Sequence, residues 1–199
     1  MDRPRRREAW ILQKLSAADV SEDEQFKLVV ELRSVGSDAS VGALDRALRS
    51  PSANVATAAA MALERVGTTR AAEALVESLA FGHSRVVQRA SIALARSGDQ
   101  RAIPALIACL AERPEELDEM ARLATVRALG SFRSRSSVEV LAARLHDSTR
   151  STRRAAAQAL QQINYPESRA ALEDAAKEQS WLRARPARKA LARMQSTLS

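Results

Sequence analysis

The chain has 199 residues, of which 46% are hydrophobic but only 3% aromatic, and its single cysteine excludes an intramolecular disulfide. Its apolar residues are mostly Ala, Leu and Val, which favours closely packed helices over a barrel or sandwich that would need β-branched and aromatic strands. The formal net charge is +7, and the excess lies at the two ends, with +3 over residues 1–14, +5 over residues 181–199 and −1 over the residues between.

The first residues, MDRPRRREAWILQKL, predict a basic segment with a short leading helix over 5–15, and no signal peptide, because no long apolar run follows the arginines. No apolar run approaches the roughly 20 residues that span a bilayer. One cysteine is typical of a reducing compartment, so we expect a cytoplasmic protein. We assign 1–20 to this segment, 21–194 to one repeat domain and 195–199 to a tail. Ser21 and Glu24 predict a capping box at the start of the next helix.

The central part of the chain is repetitive. The segment VATAAAMALERVGTTRAAEALVESL (55–79) aligns with VVQRASIALARSGDQRAIPALIACL (86–110), which follows it at a distance of 31 residues. One leucine of this pattern recurs along the chain at spacings of 31, 31, 35, 31 and 31 residues: Leu32, Leu63, Leu94, Leu129, Leu160 and Leu191. A period of 20–50 residues is typical of solenoid proteins.

Each repeat is predicted to be an antiparallel pair of helices. Apolar residues from Val55 to Val66 fall on one helical stripe, and Gly67 then ends that helix in a left-handed conformation. A second stripe follows after a tight turn, and Pro104 falls in the first turn of such a second helix. The predicted first helices are 21–35, 54–66, 85–97, 117–132, 150–163 and 183–194, and the predicted second helices are 39–49, 69–80, 101–112, 136–146 and 167–178. This predicts an all-α fold, an α–α superhelix of about six helical hairpins whose last hairpin is incomplete.

Three segments carry a resemblance to a known family: VATAAAMALERVG, RVVQRASIALARSGDQRAIPALIACL and STRRAAAQALQQIN. They resemble HEAT repeats, specifically the short bacterial HEAT-like repeats of the phycobilisome-lyase type, over roughly residues 21–194. The resemblance implies the solenoid fold and binding to other proteins. It also implies, as an alternative, a chaperone or lyase-like factor for a tetrapyrrole protein. No catalytic motif matches, so no functional residue is carried over.

The residues that could support catalysis are few. His83 and His146 fall in connections two units apart, too far from each other to share a metal ion. Cys109 has no base placed beside it, which favours a packing role as a buried or half-buried small hydrophobic residue. Its equivalents in the other units leave a partly exposed position as the alternative. We therefore predict no enzymatic activity, no cofactor and no metal site.

The leading hypothesis is a non-enzymatic interaction scaffold. In this family the second helices line the concave face. Here that face is predicted to carry small, apolar and a few acidic side chains, which suit a basic or helical segment of a protein partner. The residues assigned to it are Glu73, Val76, Glu77, Pro104, Ile107, Ala108, Glu139, Glu173 and Asp174.

Two charged segments leave other interpretations open. The acidic stretch ERPEELDE (112–119) supplies four extra residues in one repeat, and its Glu115, Glu116, Asp118 and Glu119 either contact a partner or form the acidic start of a helix. The alternative hypothesis is binding of nucleic acid or an anionic surface through the basic ends and first-helix arginines. It assigns Arg5, Arg6, Arg7, Arg183, Arg185 and Arg188, with Arg85, Arg89, Arg122, Arg127, Arg153 and Arg154 on the convex side.

Overall fold

The computed structural model describes residues 3–17, 19–113 and 115–196, and the regular structure of these residues is entirely helical. The chain divides into two compact units, residues 1–99 and residues 100–199. The division falls inside the third predicted hairpin, between its first and its second helix. A single repeat domain over 21–194 stays a prediction.

The first unit holds a leading helix, three first helices and two second helices. They are α1 (Arg3–Leu15), α2 (Glu22–Val35), α3 (Val41–Leu48), α4 (Ala53–Val66), α5 (Thr69–Phe81) and α6 (Ser84–Ser97). The first helices pack in succession, α2 on α4 and α4 on α6, while α3 and α5 pack beside them. A 3-10 turn, Asp38–Ser40, precedes α3.

The second unit repeats this arrangement. Its helices are α7 (Ala102–Glu112), α8 (Glu119–Phe132), α9 (Val138–Ala143), α10 (Arg150–Ile163), α11 (Pro166–Ala176) and α12 (Trp181–Ser196). The first helices again pack in succession, α8 on α10 and α10 on α12. The second helix predicted over 136–146 is divided into α9 and two flanking 3-10 turns, Arg135–Ser137 and Arg144–His146. With these turns included, the predicted helix boundaries lie within two residues of the observed ones.

The recurring leucine forms the core of both units. Leu32, Leu63, Leu94, Leu129 and Leu160 are each at most 1% exposed, as the repeat predicts, whereas Leu191 is only partly buried. Burying each of these side chains stabilises the fold by about 1.5–3 kcal/mol.

Small residues let the first helices approach each other closely. Alanines fill the contact positions of α4, and nine of the buried residues of α4 and α10 are Ala. Gly130 of α8 is the extreme case, because a Cβ at that position would lie 2.7 Å from the Cβ of Ala159 on α10. The backbones of α8 and α10 are therefore closer than a side chain at residue 130 permits.

Four first helices end in the left-handed conformation that the repeat predicts. Gly67 and Gly98 have φ angles of 65° and 68°, and Arg133 and Asn164 take the same place with φ angles of 52° and 54°. Glycine adopts this conformation without a steric cost, while Arg133 carries about 1 kcal/mol of strain. At the N-terminus of α2, the N–H of Glu24 donates to Ser21 Oγ at 3.3 Å, which is one half of the predicted capping box.

Side-chain contacts join residues about one repeat apart in the sequence. In the first unit these contacts are Glu22 with Ser52 (2.6 Å), Asp38 with Arg70 (2.8 Å) and Glu64 with Arg96 (2.5 Å). In the second unit they are Glu119 with Ser151, Arg135 with Glu167, and His146 with Glu178 (2.6 Å). Exposed pairs of this kind contribute about 0–1 kcal/mol each. Contacts at about the same sequence separation therefore recur in both units.

Candidate functional site

The second-helix face of the first unit is less acidic than the sequence predicts. Glu73 and Glu77 are exposed on α5, and Val76 between them is partly buried. The carboxylate of Glu77 lies 3.3 Å from Arg49, whose guanidinium also lies over the ring of Phe81 at 4.1 Å. An arginine at the end of α3 therefore offsets part of the negative charge on this face.

The second-helix face of the second unit keeps its apolar and acidic character. On α7, Pro104 is exposed and Ile107 and Ala108 are partly buried. The exposed acids lie on the next two second helices: Glu139 on α9, and Glu173 and Asp174 on α11. Asp174 accepts a hydrogen bond from Lys177 at 2.8 Å, which raises the pKa of that lysine. The exposed acids of this face are therefore Glu139, Glu173 and the lysine-paired Asp174.

The acidic stretch before α8 mostly makes contacts within the second unit. Asp118 caps the helix by accepting the N–H of Ala121 at 2.8 Å, and Glu119 accepts a hydrogen bond from Ser151. Glu116 pairs with Arg113 at 2.8 Å, and Glu115 is exposed. The geometry of Asp118 and Glu119 favours the interpretation of this stretch as the acidic start of a helix.

The basic ends also make internal contacts. Arg7 donates two hydrogen bonds to Glu31, at 2.6 and 2.9 Å, and lies over the ring of Trp10 at 4.2 Å. The hydrogen bond from Arg7 lowers the pKa of Glu31. Arg188 donates to the carbonyl of Ala176 at 3.0 Å. The remaining residues assigned to an anion site, Arg5, Arg6, Arg183 and Arg185, are exposed.

Two of the first-helix arginines hold a loop in place instead of facing a ligand. Arg153 is 8% exposed and donates to the carbonyls of Asp147 and Ser148 at 2.8 and 2.9 Å. Arg122 donates to the carbonyl of Leu117, and its Nε lies 3.5 Å from the Asp147 carboxylate. The expectation that Arg122 and Arg153 present their charge on an anion-binding surface is wrong, because each side chain folds back on its own helix start.

Two of the arginines assigned to the anion-binding alternative, Arg154 and Arg185, lie in a groove between α10 and α12, which was not itself predicted from the sequence. The groove has a volume of about 120 Å³ and is lined by five cations and by no acid: Arg150, Arg154, Arg185, Lys189 and Arg193. Its other lining residues are Gln158, Gln161, Leu182, Pro186 and Ala190. The spacing of four residues between successive cations on each helix is the sequence signal that could have found it.

Cys109, His83 and His146 lie in different environments. Cys109 is 2% exposed, which agrees with a packing role and rules out the partly exposed alternative, and burial raises its pKa to about 11. His83 is exposed, and His146 contacts Glu178. Within residues 3–17, 19–113 and 115–196, no group of three His, Cys, Asp or Glu side chains is placed to hold a metal ion. No helix of that part of the chain is long and apolar enough to cross a membrane.

Helical hairpins with a regular period, stacked through a leucine and alanine core, define an α-solenoid repeat protein. A family model of HEAT repeats matches residues 8–93, 44–121 and 115–192, and the chain belongs to the HEAT-repeat family. No curated protein matches the chain.

The chain is similar in fold to several solved structures. One is the complex of CpcE and CpcF of phycocyanin lyase from Nostoc sp. PCC7120, with 22% identity over 94% of this chain and 75% of that chain and a TM-score of 0.63. A second is an engineered protein with 21% identity over 98% of both chains and a TM-score of 0.62. A third is a designed armadillo repeat protein in complex with the peptide (KR)4, with 17% identity over 92% of this chain and 98% of that chain and a TM-score of 0.57. At these identities the likeness is one of fold.

Proposed function

We propose that this protein is a non-enzymatic interaction scaffold that binds a protein partner on the faces of its second helices. The observation that carries the proposal is the surface of the second unit. There, accessible Pro104, Ile107 and Ala108 on α7 are followed by the exposed carboxylates of Glu139 on α9 and Glu173 on α11. Because these residues are held on packed helices, binding would cost little ordering of the scaffold itself.

The chemistry of this surface selects the class of partner. An apolar centre gives a partner side chain a place to be buried, and the carboxylates attract lysine and arginine and repel other acidic segments. We therefore expect a basic segment, extended or helical, to bind to the second unit. In the first unit the pairing of Glu77 with Arg49 weakens the same attraction.

The peptide (KR)4 is a suitable first probe, because a designed protein of similar fold was solved with it. Fluorescence anisotropy of labelled (KR)4 is expected to show binding at low salt. The double variant Glu139→Lys and Glu173→Lys should weaken this binding by at least about tenfold, since each substitution replaces an attraction by a repulsion.

The matched control changes the same charge elsewhere. Asp23 and Glu24 are exposed on α2, and Asp23→Lys with Glu24→Lys adds the same positive charge outside the second helices. Equal weakening by both double variants would show that only the net charge matters, and the second-helix face would then be rejected. Cross-linking with mass spectrometry in the native host would identify the natural partner, whose binding should respond to the same variants.

A role as a chaperone or lyase-like factor for a tetrapyrrole protein rests on the likeness of fold to the phycocyanin lyase complex. No side chain of this chain has been assigned to such a role. We therefore favour the scaffold, whose residues can be named and tested.

A further inference from the structure

The groove between α10 and α12 is a second surface, on the first helices of the second unit. We infer that it binds single-stranded nucleic acid. Arg150 and Arg154 stand on one wall, Arg185 and Lys189 stand on the other, and Leu182, Pro186 and Ala190 supply apolar surface. A basic groove with an apolar and aromatic lining is the general form of sites that hold single strands through phosphates and bases together.

Three of the five groove cations are not used for ion pairs among the described residues. Among the residues that the structure describes, Arg150, Arg154 and Lys189 have no carboxylate partner within 4.0 Å. Four of the five cations are arginines, whose planar guanidinium donates two parallel hydrogen bonds to phosphate oxygens. The amides of Gln158 and Gln161 add uncharged donors and acceptors that suit base edges.

The first unit provides an internal comparison. When Leu63 is aligned with Leu160, the positions of Arg154 and Gln158 are taken by Thr57 and Met61. In the same alignment, Gln161 and Arg193 correspond to Glu64 and Arg96, which form an ion pair at 2.5 Å in the first unit. The repeat architecture by itself therefore does not require a basic groove, and the second unit has one because Arg154 and Gln161 stand where the first unit has Thr57 and Glu64.

An exposed aromatic ring lies at one end of the groove. Trp181 is 56% exposed, and the guanidinium of Arg185, a lining residue, lies 5.0 Å from its ring centroid. A base stacked on such a ring contributes binding energy whatever the nucleotide sequence, because every base has a flat aromatic face. Protein interfaces, in contrast, are depleted of charged residues at their centre, which makes an acidic protein segment the less suitable occupant.

The dimensions favour a single strand over a duplex. Helices packed directly on each other have axes about 8–10 Å apart, so the groove between them admits one strand. Along α10 the lining residues run from Arg150 to Gln161, which is about 17 Å at a rise of about 1.5 Å per residue. This length accommodates about five stacked nucleotides.

The test uses the full chain and a fluorescent oligothymidylate of about 16 nucleotides, measured by anisotropy at several salt concentrations. Binding should weaken as the salt concentration rises. The slope of log Kobs against log salt should be about −0.7 for each phosphate neutralised, and therefore about −3.5 if all five cations contact phosphates. Arg154→Glu with Lys189→Glu should weaken binding at least about tenfold and make the slope shallower by about 1.4. Trp181→Ala should weaken binding about tenfold and leave the slope unchanged.

The control variant carries the same charge change on exposed arginines outside the groove, Arg33→Glu with Arg65→Glu. The inference is overturned if this control weakens binding as much as the groove variant, or if no binding occurs at low salt. It is also overturned if an oligoglutamate peptide or a duplex of the same length binds more tightly than the oligothymidylate. The (KR)4 experiment uses other residues, so either surface can fail without the other.

Discussion

Replacing Gly130 by alanine tests how closely the first helices pack. Two effects oppose each other at this position. Alanine is favoured over glycine inside a helix by about 1 kcal/mol. The added Cβ, however, would lie 2.7 Å from the Cβ and 3.0 Å from the Cα of Ala159, and neither of these atoms can rotate away. Forcing α8 and α10 apart costs about 1–3 kcal/mol, so we expect a net destabilisation of about 1 kcal/mol.

Gly42 is the matched control, because it lies in α3 with no atom within 4 Å of an added Cβ. Gly42→Ala should stabilise the protein by about 0.5–1 kcal/mol. The gain in helix propensity is shared, so the difference between the two variants measures the packing cost alone. Urea unfolding followed by circular dichroism gives both values. If Gly130→Ala stabilises as much as Gly42→Ala, the close approach of α8 and α10 is refuted.

Three further predictions concern buried polar groups. Ser137 and Ser168 are buried at the position that Ala71 and Ala102 occupy in two other repeats, and among the described residues their hydroxyls have no hydrogen-bond partner. Replacing either serine by alanine should leave thermal stability unchanged or raise it. Burial would raise the pKa of Glu8, but hydrogen bonds from Ser40 and Ser37 outweigh it and lower the pKa below its ordinary value of 4.5. The stability that Glu8 contributes is therefore present above about pH 4.5 and lost as the pH falls through the lower folded-state pKa, so Glu8→Gln should flatten the acid side of a stability–pH curve. Cys109, with its pKa raised to about 11, should react with iodoacetamide at neutral pH far more slowly than free cysteine, and rapid alkylation of the folded protein would contradict its burial.

The helices could be predicted from the sequence because burial in a repeat is governed by spacing alone. Leu63, Leu94 and Leu160 mark the same point on successive first helices, and each is almost fully buried. The helix ends were equally predictable where glycine or asparagine marks the left-handed cap, as at Gly67 and Asn164.

The surface chemistry could not be predicted in the same way, because it depends on which residues of neighbouring helices meet. Arg153 and Arg154 are adjacent in the sequence, yet one is buried against loop carbonyls and the other lines the basic groove. Glu77 is acidic in the sequence but lies beside Arg49 in the structure. Spacing fixes the direction of a side chain only to within one helix face, and the partner on the next helix decides its role.

The contacts between neighbouring hairpins have a consequence for how such a chain avoids misassembly. Asp38 contacts Arg70 in the first unit, and the equivalent positions of the second unit hold Arg135 and Glu167, so the order of charges is reversed. If a hairpin stacked on the wrong neighbour during folding, Asp38 would meet Glu167, or Arg135 would meet Arg70. Like charges would then face each other, and the mismatched intermediate would be disfavoured. These two junctions between similar hairpins can in this way be told apart by the order of charges in one exposed pair.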